Sequence, residues 1–326
     1  MTTTDMATTT EPPRPKRRNP VWRLATRFPM LFVLVAVLIG AGIAYPGFYN
    51  PINLRNILVQ NTDVGIVAVG MTFVLISGGF DLSVGAIYAT SAVLFTMWAN
   101  VMPVPLAAVL ALLVGAAAGA VNGLLITRVG INPFVATLAS MSAFAGIALV
   151  ITTQPIVSSA PGFDQLGKGD VLGVPIAILI LIPTFVIGAL VLAKTTYGRS
   201  LYTVGGNREA ARLSGMRVAA IGASVYVIVG IAAALAGMVA VSRVGIAQPS
   251  IGGDLALSAI TIVIVGGTSF LGGEGAIWKT AVGFAIMVSL TNVFDARAVS
   301  PAIQAIVTGV ILAAAVGIDV LSRRSR

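Results

Sequence analysis

Apolar residues run along this chain in long unbroken blocks, and polar residues gather in short gaps between them. A helix that crosses a bilayer needs ~20 mainly apolar residues. Six blocks meet that length: 28–45, 57–77, 104–127, 132–153, 173–193 and 218–242. Four more are shorter or interrupted by glycine: 83–99, 255–270, 276–292 and 300–318. A membrane β-barrel would instead alternate its apolar positions in short segments. In lipid the backbone must satisfy its own polar groups, so continuous apolar blocks predict helices. The expected fold is an all-α integral membrane protein, a polytopic bundle of about ten transmembrane helices.

Composition strengthens this picture. The chain is 57% hydrophobic and 10% charged, against ~25% charged in soluble proteins. Charges that scarce cannot coat a globule, so a lipid bilayer must cover most of the surface. The chain holds no Cys and no His. That removes disulfides, thiolate nucleophiles and ordinary zinc sites. It also removes the commonest general base near neutral pH. The net charge of +9 lacks the aromatic interleaving of a nucleic-acid platform, so no nucleic-acid partner is expected.

The charges also orient the bundle. Residues 1–27 form a basic tail of disordered composition, and residues 320–326 a second basic tail. The membrane domain is expected over 28–319. Its first block has no small-residue cleavage site before Tyr45-Pro46, so it reads as an anchor rather than a signal peptide. With ten spans and both termini in the cytoplasm, sixteen Lys and Arg fall on that side. Only Arg55, Lys168, Arg243 and Arg297 fall on the other. That asymmetry obeys the positive-inside rule, which an odd number of spans would break. The repeat Gly115-x-x-x-Gly119-x-x-x-Gly123 predicts closely packed helices.

One polar, basic island interrupts the apolar pattern at 197–218. Asn207 is placed to cap a helix, Glu209 suits its first turn, and Gly215 suits its end. The helix between, over 208–214, is too short to stand alone in water. Its apolar residues Ala210, Ala211, Leu213 and Met216 either pack under the bundle or dock into a groove on a cytoplasmic partner.

The stretch GGNREAARLSG in this island resembles the coupling-loop signature of the permease subunit of sugar-type ABC importers, the ribose permease family. GGFDLSVGA (78–86), NPFVATLASM (132–141) and VIVGGTSFLGGEGAI (263–277) resemble the same family in order and spacing. The resemblance covers roughly 28–319. It implies a homodimer of permeases in the bacterial inner membrane, ABC ATP-binding subunits below, and an extracytoplasmic sugar-binding protein above. It implies no cofactor on this chain, with ATP and Mg on the partner ATPase. It makes 195–217 the coupling loop, with Asn207, Glu209, Ala210, Ala211, Arg212, Leu213 and Gly215 in or beside the helix that meets the ATPase. One departure stands out. Family members commonly carry acids within YELDAIAA, where this chain has Ala256 and Ser258, with Asp254 adjacent.

Other sites follow from the residues themselves. Asp81 either lies in the bilayer as a functional acid or caps the helix that starts near Ser83. Asn61, in the polar run Gln60-Asn61-Thr62-Asp63, is interfacial or lines a sugar path. Asn132-Pro133 and Gln154-Pro155 mark helix boundaries, and Asn132 and Gln154 are further path candidates. The glycine loops at Gly78-Gly79 and Gly266-Gly267 are candidates for non-helical backbone lining a cavity. The near-match GEGAIWKT (273–280) puts Trp278 where a P-loop needs glycine, so it cannot wrap phosphates. The energy source therefore lies on another polypeptide. A self-contained secondary transporter or channel would show buried coupling acids, which are few here. A membrane enzyme would need His, Cys or clustered carboxylates.

Overall fold

The computed structural model describes residues 29–324. The predicted tail 1–27, residue 28 and the last two residues lie outside them. Among the described residues the chain is helical, apart from four two-residue strands in two small antiparallel pairs. Strand β1 (Ile156–Val157) pairs with β4 (Ile246–Ala247), and β2 (Asp170–Val171) pairs with β3 (Val174–Pro175).

The first half holds α1 (Pro29–Ala44), α2 (Pro51–Gln60), α3 (Thr62–Ile76), α4 (Val84–Ala99), α5 (Val104–Leu124) and α6 (Pro133–Ile151). A π-helical turn, Leu125–Val129, continues α5 and stops at Gly130, whose φ is 84°. A short helix, α7 (Gln165–Lys168), precedes α8 (Ile176–Lys194). Two peripheral helices follow, α9 (Thr196–Gly206) and α10 (Arg208–Leu213). The chain ends in α11 (Val218–Val244), α12 (Leu255–Val265), α13 (Ile277–Ala296) and α14 (Pro301–Arg324).

Each of the ten predicted blocks holds an apolar helix, but the blocks are not equivalent. Among the described residues five helices are long and apolar enough to cross a membrane, or six if a bent pair counts as one span. The predicted ten spans exceed that number. The bent pair is α2 and α3, which meet at 55°. The predicted span 57–77 straddles this break. At Asn61 the side-chain amide donates to the Ile57 carbonyl, and Thr62 Oγ1 donates to Leu58 O. Local side-chain bonds of this kind compete with the helix ladder. Block 255–270 is helical only to Val265, about 16 Å at 1.5 Å per residue, and then turns into a glycine loop. At the other extreme α14 runs on to Arg324, so the boundary expected at 319 falls inside a helix.

Helix α3 is buried around its whole circumference, including Ile66, Val67, Met71, Leu75 and Ile76. A helix apolar on every side belongs inside a bundle. It packs on α11, which also contacts α4 and α5. The outer helices expose Val35, Ile39, Ile43, Val150, Ile306 and Val310, the surface a bilayer would cover. The predicted glycine repeat lies at the α5–α11 crossing. A Cβ on Gly119 would sit 2.1 Å from the Tyr226 carbonyl oxygen, and one on Gly115 2.4 Å from that of Gly230. Small residues let the two backbones touch, which is how helices associate where lipid removes the hydrophobic drive.

The charges segregate to two ends. Arg128, Arg212 and Arg217 line one cavity at one end. Arg55 pairs with Asp170 at 3.0 Å, Arg243 with Asp63 at 3.6 Å, and Arg297 Nε donates to Ala44 O at 2.7 Å, all at the other.

Replacing Gly119 by Ala should lower the thermal unfolding midpoint of the detergent-purified protein by roughly 3–10 °C, the scale of an overpacked core. Gly146, whose Cβ would meet nothing within 4 Å, provides the control. Gly146→Ala should leave the midpoint unchanged in the same melting assay.

Candidate functional site

The polar island folds into two helices where the sequence predicted one. Thr195 starts α9, its Oγ1 accepting from Gly198 N at 3.1 Å. Leu201 and Val204 bury its inner face. Tyr202 then donates to the Gly275 carbonyl at 2.8 Å. Asn207 separates the helices and caps α10, its Oδ1 accepting from Ala210 N at 2.9 Å. Gly215 closes the element with φ of 79°.

Helix α10 has one anchor. Ala211 is fully buried, in a small cluster with Val204 and Val218 that Met216 and Ile221 flank. Among the residues expected to meet a partner, Ala211 is therefore covered by the bundle itself, because its methyl points back at α9 and α11. Glu209, Ala210, Arg212 and Leu213 are exposed, Leu213 by 77%. Arg212 donates to both Glu209 oxygens, Nη2 to Oε1 at 2.7 Å and Nε to Oε2 at 3.1 Å. That hydrogen-bonded charge holds the Glu209 carboxyl below its usual range. The edge of α10 thus carries a bare apolar side chain, Leu213, beside an intrahelical ion pair.

The end of α9 is wedged against the interior. A Cβ on Gly205 would stand 1.8 Å from the Ile76 carbonyl oxygen at the end of α3. Gly273 N donates to that same carbonyl at 2.9 Å. A Cβ on Gly272 would lie 2.8 Å from the Gly78 Cα. Thus α9 meets both glycine loops, 77–83 between α3 and α4 and 266–276 between α12 and α13. Each loop carries one phenylalanine, and Phe80 and Phe270 meet with ring centroids 4.5 Å apart. Asp319 of α14 accepts from Ser269 Oγ and Phe270 N, both at 3.1 Å.

The other predicted residues separate. Asp81 and Ser83 are buried beside each other. Asp81 Oδ1 accepts from Ser83 N at 2.8 Å and Ser83 Oγ at 2.6 Å, and Asn122 Nδ2 donates to Ser83 Oγ at 2.7 Å. Ser83 occupies the cap position of α4, without a side-chain cap bond. Asp81 therefore shapes the turn ahead of the helix, and neither residue lines a described cavity. Asn132 caps α6 through Phe134 N at 2.9 Å and borders a largely apolar cavity of about 420 Å³ with Gly78, Phe80 and Phe270. Gln154 is exposed in the loop after α6, away from the described cavities. Gly266 and Gly267 do not face a cavity either. Gly266 presses on the Lys279 carbonyl, and Lys279 Nζ donates to Gly267 O at 3.0 Å. Thr280 is likewise engaged, 2.7 Å from Thr72 Oγ1, so the P-loop-like stretch is spent on packing.

Asn61 does reach a polar cavity. About 440 Å³ in volume, it is bordered by Gln60, Asn61, Asp63, Tyr88, Asp254 and Ser258, with Thr291 and Thr308 opposite. Asp63 accepts from Tyr88 Oη at 3.3 Å and faces Arg243, whose Nη1 donates to Val59 O at 2.7 Å. A second cavity of about 330 Å³ adjoins it along α12 and α14. It shares Leu257 and Leu312 with the apolar cavity by Phe80 and Phe270. The three spaces line up from the Asp63 end of the bundle toward the glycine loops. Sequence reading noticed Asp63 and Asp254 but not Thr291 or Thr308, lone hydroxyls that only the fold brings together. Among the described residues no three metal-ligating side chains cluster.

A helical bundle with lipid-facing outer surfaces and a chain of cavities alongside broken helices defines a polytopic membrane permease. The chain belongs to the family described as branched-chain amino acid transport system / permease component, which it matches over residues 53–316. It is 41% identical to the ribose import permease protein RbsC of Bacillus subtilis, over 89% of this chain and 90% of the relative. With RbsC of Escherichia coli K12 the identity is 38%, over 89% and 91%. With the L-arabinose transport system permease protein AraH of the same organism it is 33%, over 96% of each. No solved structure matches the chain.

Ser83→Ala removes a donor from Asp81 and an acceptor from Asn122 in a fully buried setting. It should destabilise the protein by about 1–3 kcal/mol, read as a lower melting midpoint. Gln154→Ala should leave both stability and transport unchanged.

Proposed function

We propose that this chain is the transmembrane subunit of an ATP-driven ABC importer in the bacterial inner membrane. Its cargo is a monosaccharide, a ribose-like pentose, another sugar or a polyol, delivered by an extracytoplasmic binding protein. The names of its relatives and the extent of the similarity support this reading. The chain is a transport component rather than an enzyme. ATP and Mg act on separate ATP-binding subunits, and two copies of the permease pair to enclose the path. The end bearing Arg128, Arg212 and Arg217 faces the cytoplasm, in line with the charge bias.

The observation that carries the mechanism is the wedge at Gly205. The exposed edge of α10, with Glu209, Ala210, Arg212 and Leu213, enters a cleft on the ATPase. Asn207 and Ala211 fix α10 to α9, so the pair moves as one body. Closure of the ATPase displaces it. Because α9 touches Ile76 and the 266–276 loop backbone to backbone, the displacement has no soft side chain to absorb it. It shifts the loops bearing Phe80 and Phe270 and so opens or closes the inner end of the cavities. The bundle thus alternates between two packings, biased by nucleotide.

Glu209→Lys breaks the ion pair and reverses charge on the docking edge while leaving Ala211 buried. Membrane insertion should be normal and ATP hydrolysis should persist, while uptake of labelled D-ribose or L-arabinose by the assembled transporter falls at least about tenfold. Unchanged uptake in that variant contradicts the lever. The wild-type chain should also retain an ATP-binding subunit through purification. Robust uptake by the chain reconstituted alone would favour a self-powered transporter.

A further inference from the structure

The geometry points to a contact site for a neutral, polyhydroxylated solute where the two adjoining polar cavities meet, built by Asp254 at the cap position of α12, Ser258 of α12, Thr291 of α13 and Thr308 of α14. This inference rests on the importer reading above and names where along the chain the cargo is held. These four side chains, from three helices, border both cavities. Asp254 and Ser258 stand four residues apart, on one face of α12, with Ser258 N bonded to Asp254 O at 3.0 Å.

The chemistry selects the ligand class. Asp63, at the rim of the larger cavity, is committed to Arg243 and Tyr88. The Asp254 carboxylate makes no hydrogen bond or ion pair among the described residues. A free carboxylate offers two oxygens that accept and none that donate, which suits two neighbouring hydroxyls. Serine and threonine hydroxyls both donate and accept, so they can follow a hydroxyl in either sense. No Lys or Arg borders either cavity, and two carboxylates do. Arg243 offsets the charge of Asp63, so an anionic solute is repelled by Asp254, with no cation bordering either cavity to attract it. Both volumes, about 440 and 330 Å³, fall within the ~300–1,000 Å³ of small-molecule sites. The site is polar but shallow in charge, as a transit position needs: strong enough to accept cargo and weak enough to release it.

The chain contains no cysteine, so single cysteines can be introduced and labelled without background. The test uses the assembled transporter in vesicles and a hydrophilic methanethiosulfonate. Ser258→Cys and Thr308→Cys should both react, because their positions face water. Ile306→Cys, on the exposed outer face of α14, should stay unreactive within lipid. Modification at 258 or 308 should cut uptake of D-ribose or L-arabinose by about tenfold or more while ATP hydrolysis continues. Ser258→Ala should raise the KM for uptake more than it lowers kcat. Asp254→Asn, which keeps one acceptor, should retain several times the uptake of Asp254→Leu; equal loss in both would indicate a cation site instead and overturn the ligand class. Reactivity at 258 and 308 no greater than at 306, or modification without effect on uptake, overturns the site. Failure of the importer reading looks different: the unmodified complex would import neither pentose, while labelling would still report whether the cavity is open to water.

Discussion

The structure depends on backbone touching backbone at glycine. In lipid there is no hydrophobic force to press helices together, so close approach and satisfied backbone groups must hold them. At Gly205 the end of a peripheral helix sits against the Ile76 carbonyl with no room for a methyl group. At Gly119 and Gly115 the central helix crosses its neighbour the same way. The second contact makes the bundle rigid. The first ties the peripheral helices α9 and α10, the lever we propose, to the end of α3.

The rest of the arrangement follows from where helices break. Helix α12 spans only half the usual membrane thickness, and α3 starts at a 55° bend. The polar cavities lie beside the start of α3 and the start of α12. Two acids are tied down: half-buried Asp63 by Arg243 and Tyr88, and buried Asp81 by Ser83. Among the described residues Asp254 is the acid that borders the cavities without a hydrogen bond or ion pair. An apolar cavity beside the Phe80–Phe270 pair lies at the glycine loops that α9 touches, and the polar cavities lie beyond it. This division fits a path in which gating and contact with cargo occur at different depths.

Much of this was legible in the sequence. The apolar blocks located the helices, and the glycine repeat marked the α5–α11 crossing, because period and residue size act locally. The Asn207 cap and the Gly215 end of α10 were legible for the same reason. Helix α9 was missed although Tyr197, Leu201 and Val204 recur at helical spacing, because Gly198 and Gly205 read as loop rather than as close backbone contacts. Ala211 read as a contact surface because its spacing cannot say which side the bundle covers. Position 258, where the resembling family commonly carries an acid, faces the polar cavities, while Ala256 is buried. Sequence spacing could not separate the two. Asn132 and Gln154 were chosen as polar residues at helix ends, and caps and loops use the same residues as sugar sites do.

The most direct test of the lever is distance measurement by paired spin labels in the assembled transporter, with and without ATP. One pair places a label at Leu213 on α10 and another at Val150 on α6; the second pair joins Leu257 on α12 to Val150. The account predicts that nucleotide shifts both distance distributions together. A shift of the α10 distance with the α12 distance unchanged would show that the wedge at Gly205 does not transmit motion, and would contradict it.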